Sequence, residues 1–286
     1  MRMRNARRAL AALAALVITT GLSAALVRAA GGNLVIKGSD TLVMLSQAWA
    51  EEYMKRHPEA NIAVTGGGSG TGIAALINGT TDLANCSRAM KASEIAKCKD
   101  RGFVPAAHAV ALDGLAIAVH AANPVPGLSL DQLRGIYTGK ITDWQQVGGK
   151  PGKILVLSRE SNSGTYVYFR DFVLRGRNYR SDALLMPSTK AIQQEITGNR
   201  NAIGYGGLAY FKGKPNVKVL PVSMKGKAPV YPGDDNVRSG AYPIARPLYI
   251  YSKGKPGGLA ADFIRFCLSK EGQDLVGRVG YVALRK

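Results

Sequence analysis

Short apolar runs alternate along this chain with stretches in which hydrophobic residues recur every three or four positions. Asn33 to Lys37 predicts a strand. A helix follows from Thr41 to about His57, where Leu42, Leu45, Trp49 and Tyr53 share one face and Pro58 lies just past the end. Asn61 to Thr65 reads as a second strand, leading through a glycine-rich turn into a helix over Gly72 to Asn78. Asp82 to Asn85 makes a short strand, Ser93 caps another helix, and Phe103 to Val119 holds two extended runs. This alternation predicts an α/β fold with a mostly parallel sheet.

A second unit begins near His120, where AANPVPG marks a loop. Ser129 to Gln132 fits a capping box. Ile154 to Leu157 is a strand, and Ser163 opens a helix carrying Val167, Phe169, Phe172 and Val173. Ser188 caps a further helix, and Ala202 to Tyr205 and Val217 to Leu220 read as strands. Lys225 to Gly240, rich in Gly, Pro and Asp, reads as an exposed loop. Ala241 to Tyr251 is strand-like, and Leu259, Phe263, Phe266 and Cys267 line one helix face. The pattern predicts two α/β lobes: residues 31–119 with 241–286, and residues 120–240. Strand-like crossovers near 112–120 and 241–250 form the expected hinge.

The opening residues add a location. Arg2, Arg4, Arg7 and Arg8 precede an apolar, alanine-rich run from Ala9 to Val27, and small residues follow at Ala29 and Ala30. That order is the signature of a secretory signal peptide over residues 1–30, cleaved near Ala29 or Ala30. Its removal leaves 33 basic against 19 acidic residues, a net charge of +14. The basic residues are scattered and the chain is exported, so a solvated surface that attracts anions is expected rather than a nucleic-acid site.

Cys86, Cys98 and Cys267 match no zinc spacing, and His57, His108 and His120 lie far apart, so no metal site or cofactor is expected. In an oxidising compartment a Cys86–Cys98 bridge is possible, leaving Cys267 unpaired.

Three glycine- and hydroxyl-rich turns each follow a strand and open a helix: Gly38 to Thr41, Gly66 to Gly72, and Arg159 to Thr165. Helix N-termini present unpaired N–H groups and a positive dipole end, so they bind anions. Each turn alone is ordinary capping; three in one chain, split between two lobes, can converge on a single anion. Gly70 to Ala75 formally matches a dinucleotide fingerprint, but an isolated match is weak. No Walker lysine follows the glycines, and Ser161 stands where a G-x-S-x-G elbow around Ser163 needs glycine.

These residues carry a family resemblance. GSDT at 38–41, GGGSGTGIAAL at 66–76, TGKITDWQQVGG at 138–149, RESNSGTY at 159–166 and the closing SKEGQDLVGRVGYVAL at 269–284 resemble the phosphate-binding proteins of bacterial ABC transporters. The resemblance implies a two-lobed type II periplasmic-binding-protein fold. Each lobe is then a mixed sheet flanked by helices, joined by a two-strand hinge. It also implies a monomeric periplasmic receptor that is not an enzyme, binds inorganic phosphate and serves an inner-membrane ABC permease.

Carried over by position, the resemblance nominates Thr41 and the Leu42 backbone, Ser69, Arg159, Ser163, Gly164 and Thr165, with Arg159 as the main full positive charge. Family members hold an aspartate that accepts the proton of hydrogen phosphate, in the segment that here reads Asn85-Cys86-Ser87-Arg88. Ser87 and Arg88 stand there instead, and Asp40 is the candidate replacement. The alternatives are a receptor for another tetrahedral oxyanion (sulfate, arsenate or molybdate) and an exported phosphate-ester hydrolase.

Overall fold

The computed structural model describes residues 32–284; the apolar segment and cleavage site read from the first thirty positions lie outside it. Strand β1 (Asn33–Gly38) buries Leu34 and Ile36 on alternate positions. A 3₁₀ turn, Asp40–Leu42, leads into α1 (Val43–Arg56), whose Leu45, Trp49, Ala50 and Tyr53 bury one face. Lys55 and Arg56 in its last turn suit the negative end of the helix dipole. Then come β2 (Asn61–Gly67), α2 (Ser69–Asn78), β3 (Leu83–Cys86) and α3 (Ala92–Asp100). Helix α3 starts ahead of the expected cap Ser93: Lys91 is its N-cap, and the Glu94 carboxylate accepts the Lys91 N–H at 2.7 Å.

The two extended runs expected over 103–119 are one strand, β4 (Pro105–His120). It stays extended because it exchanges partners midway. Pro105 to Gly114 pairs with the late strand β11 (Ala245–Lys253), and Leu115 to Val119 pairs with β8 (Ala202–Gly207). Between them in sequence lie β5 (Leu128–Ser129), α4 (Leu130–Tyr137), β6 (Leu155–Arg159), α5 (Gly164–Phe172), β7 (Leu184–Met186) and α6 (Thr189–Gly198). After β8 come β9 (Val217–Leu220), β10 (Val222–Ser223) and α7 (Asp234–Arg238). Helix α7 corrects the reading of 225–240 as a plain exposed loop, since its Val237 is buried in the core. Helices α8 (Gly258–Leu268) and α9 (Lys270–Val279) close the chain.

The main sheet runs β2-β1-β3-β11-β4-β8-β6-β7, with β9 also paired to β4. Its ends are parallel: β1 with β2 and β3, and β6 with β7 and β8. Its middle is antiparallel, because β4 and β11 run against each other and against their outer neighbours. The sheet is therefore mixed rather than mostly parallel.

Apolar side chains gather on either side of the β4–β11 crossing. One cluster holds Leu34, Ile36, Leu45, Trp49, Leu248, Phe263 and Val276; another holds Leu115, Ile117, Leu133, Tyr137, Phe169, Ile203 and Tyr205. Cys86, Cys98 and Cys267 are buried free thiols, with Cys86 and Cys98 in one apolar cluster. No helix among the described residues is long and apolar enough to cross a membrane.

Candidate functional site

The three glycine- and hydroxyl-rich turns meet where the two parallel ends of the sheet face each other. The first turn follows β1 and is pinned from outside: Tyr210 donates its hydroxyl to Asp40 O at 2.8 Å, and Tyr281 donates to Thr41 O. Thr41 is buried, and its Oγ1 lies 3.0 Å from Thr165 Oγ1 of α5. Ser87, at the end of β3, places its Oγ 3.4 Å from Thr165 Oγ1 and 3.3 Å from Ser69 Oγ, while its N–H donates to Ser69 Oγ at 3.0 Å. Thr41, Ser69, Ser87 and Thr165 are each at most 1 % exposed, so four hydroxyls from separate segments form one dry cluster. Hydroxyls both donate and accept, and in so dry a setting each bond they make to an anion is strengthened.

Helix α5 is capped by Ser163, whose Oγ accepts from the N–H groups of Thr165 at 3.2 Å and Tyr166 at 3.4 Å. Gly164 opens that helix against the cluster: a Cβ there would stand 2.2 Å from Ser69 Oγ and 2.8 Å from Ser87 Oγ. The glycine loop is clamped to the same turn, with the Gly70 N–H donating to Asn162 O at 2.9 Å. Asn162 Nδ2 donates to Gly67 O at 3.0 Å. Gly68 sits at φ +97°, and a Cβ on it would lie 2.8 Å from Asn162 O, so only glycine permits this approach. Beneath α5, Phe169 and Tyr205 stack with centroids 4.1 Å apart, and the Tyr205 hydroxyl lies 2.8 Å from both Ser158 Oγ and Tyr179 Oη. That aromatic platform holds β6 and α5 in fixed register.

The nominated charges make hydrogen bonds within the protein. Arg159 is 1 % exposed, and its donors are taken by protein: Nε by Met186 O at 3.2 Å, Nη2 by Pro187 O at 2.9 Å, and Nη1 by both Thr189 Oγ1 and Asp40 Oδ2 at 3.0 Å. Asp40 Oδ2 also accepts the Thr189 N–H at 2.8 Å. Arg159 thus bonds to Asp40, Thr189 and two backbone carbonyls, and Asp40 Oδ2 is its counterion. Arg88 is also paired within the protein. Its Nη1 and Nη2 are held by Glu94 at 2.8 and 2.7 Å, and Nη1 also donates to Ala89 O. Burial works against the charge on Glu94, but Arg88 and the Lys91 N–H outweigh it and hold the carboxyl below its usual range. The Leu42 N–H, nominated for the anion, donates to Ser39 O at 3.0 Å.

Two charged residues escaped the sequence reading. Asp113 on β4 and Arg246 on β11 are register partners, 1 % and 2 % exposed. Asp113 Oδ2 accepts from Arg246 Nε at 3.1 Å and Nη2 at 3.0 Å, and Nη2 donates onward to Thr165 Oγ1 at 3.0 Å. Burial raises the Asp113 carboxyl, opposed by Arg246 and by the nearby Leu208 N–H. Neither residue lies in a glycine-rich turn; the only hint in sequence is a lone Asp and a lone Arg inside strand-like apolar runs.

Comparison with known proteins agrees with this architecture. A model of the PBP superfamily domain matches residues 23–271. The phosphate-binding protein PstS of Pseudomonas aeruginosa is 35 % identical over 273 residues, covering 88 % of this chain and 83 % of that protein. Among solved structures, a phosphate ABC transporter substrate-binding protein of Clostridium perfringens with bound phosphate superposes with a TM-score of 0.80 at 31 % identity. That match covers 89 % of this chain and all of the other. An ABC-type phosphate transport receptor from Vibrio cholerae gives a TM-score of 0.70 at 31 % identity, over 88 % of this chain and all of that one. The fold is that of the type II solute-binding proteins, and the chain belongs to the PBP superfamily and, within it, to the family of PstS phosphate-binding proteins.

Proposed function

We propose that this protein is a monomeric periplasmic receptor that captures inorganic phosphate and delivers it to an inner-membrane ABC permease, without catalysing a reaction. The observation that carries the reading is the buried cluster of Thr41, Ser69, Ser87 and Thr165, drawn from four segments onto one point beside the start of α5. Such a cluster offers hydrogen-bond donors and no apolar wall, which suits a small dehydrated oxyanion. Each hydrogen bond to a charged oxygen contributes roughly 1.5–3 kcal/mol. Micromolar affinity requires about 8 kcal/mol net, so several such bonds offset dehydration and closure.

In this reading residues 31–119 with 241–286 form one lobe, residues 120–240 the other, and β4 and β11 the hinge between them. Export precedes function: the signal peptide over residues 1–30 is removed near Ala29 or Ala30. Ser161 stands where an elbow around Ser163 needs glycine, and no group of His, Cys, Asp or Glu among the described residues is placed to hold a metal ion, which counts against hydrolysis of phosphate esters.

Calorimetric titration of refolded, ligand-free mature protein with phosphate, repeated in excess sulfate, tests the proposal. Saturable binding at about micromolar Kd or tighter that sulfate does not displace is the expected result. Absence of binding heat with phosphate overturns it.

A further inference from the structure

We propose that Asp113 and Arg246 form the charged floor of the oxyanion site, Arg246 donating to the anion and Asp113 Oδ1 accepting the proton of hydrogen phosphate. The inference rests on the phosphate reading above and names the residues that give the site its charge and its selectivity.

The other arginines near the hydroxyl cluster bind mainly to protein groups. Arg159 gives its guanidinium to Asp40, Thr189, Met186 O and Pro187 O, and Arg88 gives Nη1 and Nη2 to Glu94 and Ala89 O, with its Nε left unpaired. Arg246 instead donates to Thr165 Oγ1, the hydroxyl that Thr41 and Ser87 share. Its Nη1 has no hydrogen-bond partner although the side chain is 2 % exposed. A buried guanidinium nitrogen left without an acceptor is costly, and a charged ligand oxygen removes that cost.

Asp113 has the complementary feature. Its Oδ2 accepts both bonds from Arg246, while Oδ1 is buried with the Leu208 N–H nearby and no full hydrogen bond. A Cβ placed on Gly207 would meet Asp113 Oδ1 at 3.2 Å and the Thr41 methyl at 3.3 Å, so the unpaired oxygen and the Thr41 side chain both border Gly207.

The chemistry of the pair follows from charge. Asp113 and Arg246 together are neutral, so the site adds donors without a net cation that would favour any dianion. A carboxylate oxygen facing the ligand accepts a P–OH proton and repels the lone pairs of sulfate, which has no proton to offer. Discrimination then comes from the hinge strands, in place of the aspartate that the β3 segment lacks.

The test titrates wild type, Arg246→Gln, Arg246→Lys, Asp113→Asn and the double variant Asp113→Asn/Arg246→Gln with phosphate and with sulfate. Thermal melting identifies the folded variants, and the double variant keeps the buried pair uncharged should a single change prevent folding. Arg246→Gln is expected to weaken phosphate by roughly 100-fold or more, with partial recovery in Arg246→Lys. Asp113→Asn is expected to bind sulfate and to narrow the phosphate-to-sulfate ratio by about tenfold or more. The double variant is expected to lose both affinity and discrimination. Phosphate affinity within about threefold of wild type in Arg246→Gln, or in a folded double variant, overturns the charged floor. Equal weakening of both anions by Asp113→Asn overturns the acceptor role. A wild-type protein that binds no phosphate sinks the parent reading instead, so the two failures are distinguishable.

Discussion

Asp40 Oδ2 lies 3.0 Å from Arg159 Nη1, an ion pair between residues 119 positions apart that ties the first anion turn to the end of β6. The same oxygen accepts the Thr189 N–H at the start of α6. The pair therefore fastens one half of the molecule to the other.

On the proposed two-lobed reading, a latch of this kind favours the closed form. Asp40→Asn is expected to weaken phosphate by about tenfold, because the closed state loses a charge-assisted bond and the competent fraction falls. Sulfate is expected to weaken by the same factor, since Asp40 Oδ2 accepts from Arg159 and the Thr189 N–H. Paired calorimetric titrations decide this; a change in the phosphate-to-sulfate ratio would return the acceptor role to Asp40.

Thr165 Oγ1 is the hydroxyl shared by Thr41, Ser87 and Arg246. Thr165→Val keeps the shape and removes the hydrogen bonds, leaving buried partners unpaired at a cost of about 1–3 kcal/mol in stability. Phosphate affinity is expected to drop by roughly 100-fold, more than the drop in Asp40→Asn. Circular dichroism checks that the fold remains, and titration reads the affinity.

Gly164 faces Ser69 Oγ at a distance that excludes a methyl group. Gly164→Ala is expected to cost about 1–3 kcal/mol by overpacking and to abolish measurable phosphate binding. Gly198→Ala is the control: a Cβ there meets nothing within 4 Å. It should bind as wild type and melt slightly higher, because alanine favours the helix end by up to about 1 kcal/mol.

The Arg88–Glu94 pair predicts a pH effect on stability alone. The folded Glu94 carboxyl lies below its ordinary value of 4.5, so its contribution is present above that value and is lost as pH falls through the folded pKa. Glu94→Gln is expected to destabilise by about 1–3 kcal/mol at pH 7, because Arg88 is left buried with a weaker partner. The difference from wild type should shrink below pH 4.5. Melting curves across that range check it, and phosphate affinity at neutral pH should stay within about threefold of wild type.

The thiols give a last check on the compartment chemistry. Burial raises the thiol pKa of Cys86, Cys98 and Cys267, and all three are free. A thiol reagent is expected to modify none of them in native protein and three per chain in denaturant. A single reactive thiol in denaturant would instead show that two of the three are bonded, Cys86 and Cys98 being the pair that shares one cluster.

Local patterning determined most of the element order, because most strands and helices here carry their own period of apolar residues and their own punctuation; the short helix α7 and the unbroken β4 did not. Leu45, Trp49 and Tyr53 announce α1, Ser129 and Gln132 announce the cap of α4, and the glycine-hydroxyl turns announce the helix starts that hold Thr41, Ser69 and Thr165. Partner choice is a different matter. The sequence cannot show that Arg159 would find Asp40, that Arg88 would find Glu94, or that Asp113 and Arg246 would pair across two strands 133 positions apart. Those pairings depend on sheet order and on the antiparallel register of β4 with β11, which long-range packing sets. The turns were legible because capping is local; the charges were not, because burying a charge compels it to find a partner wherever the fold provides one.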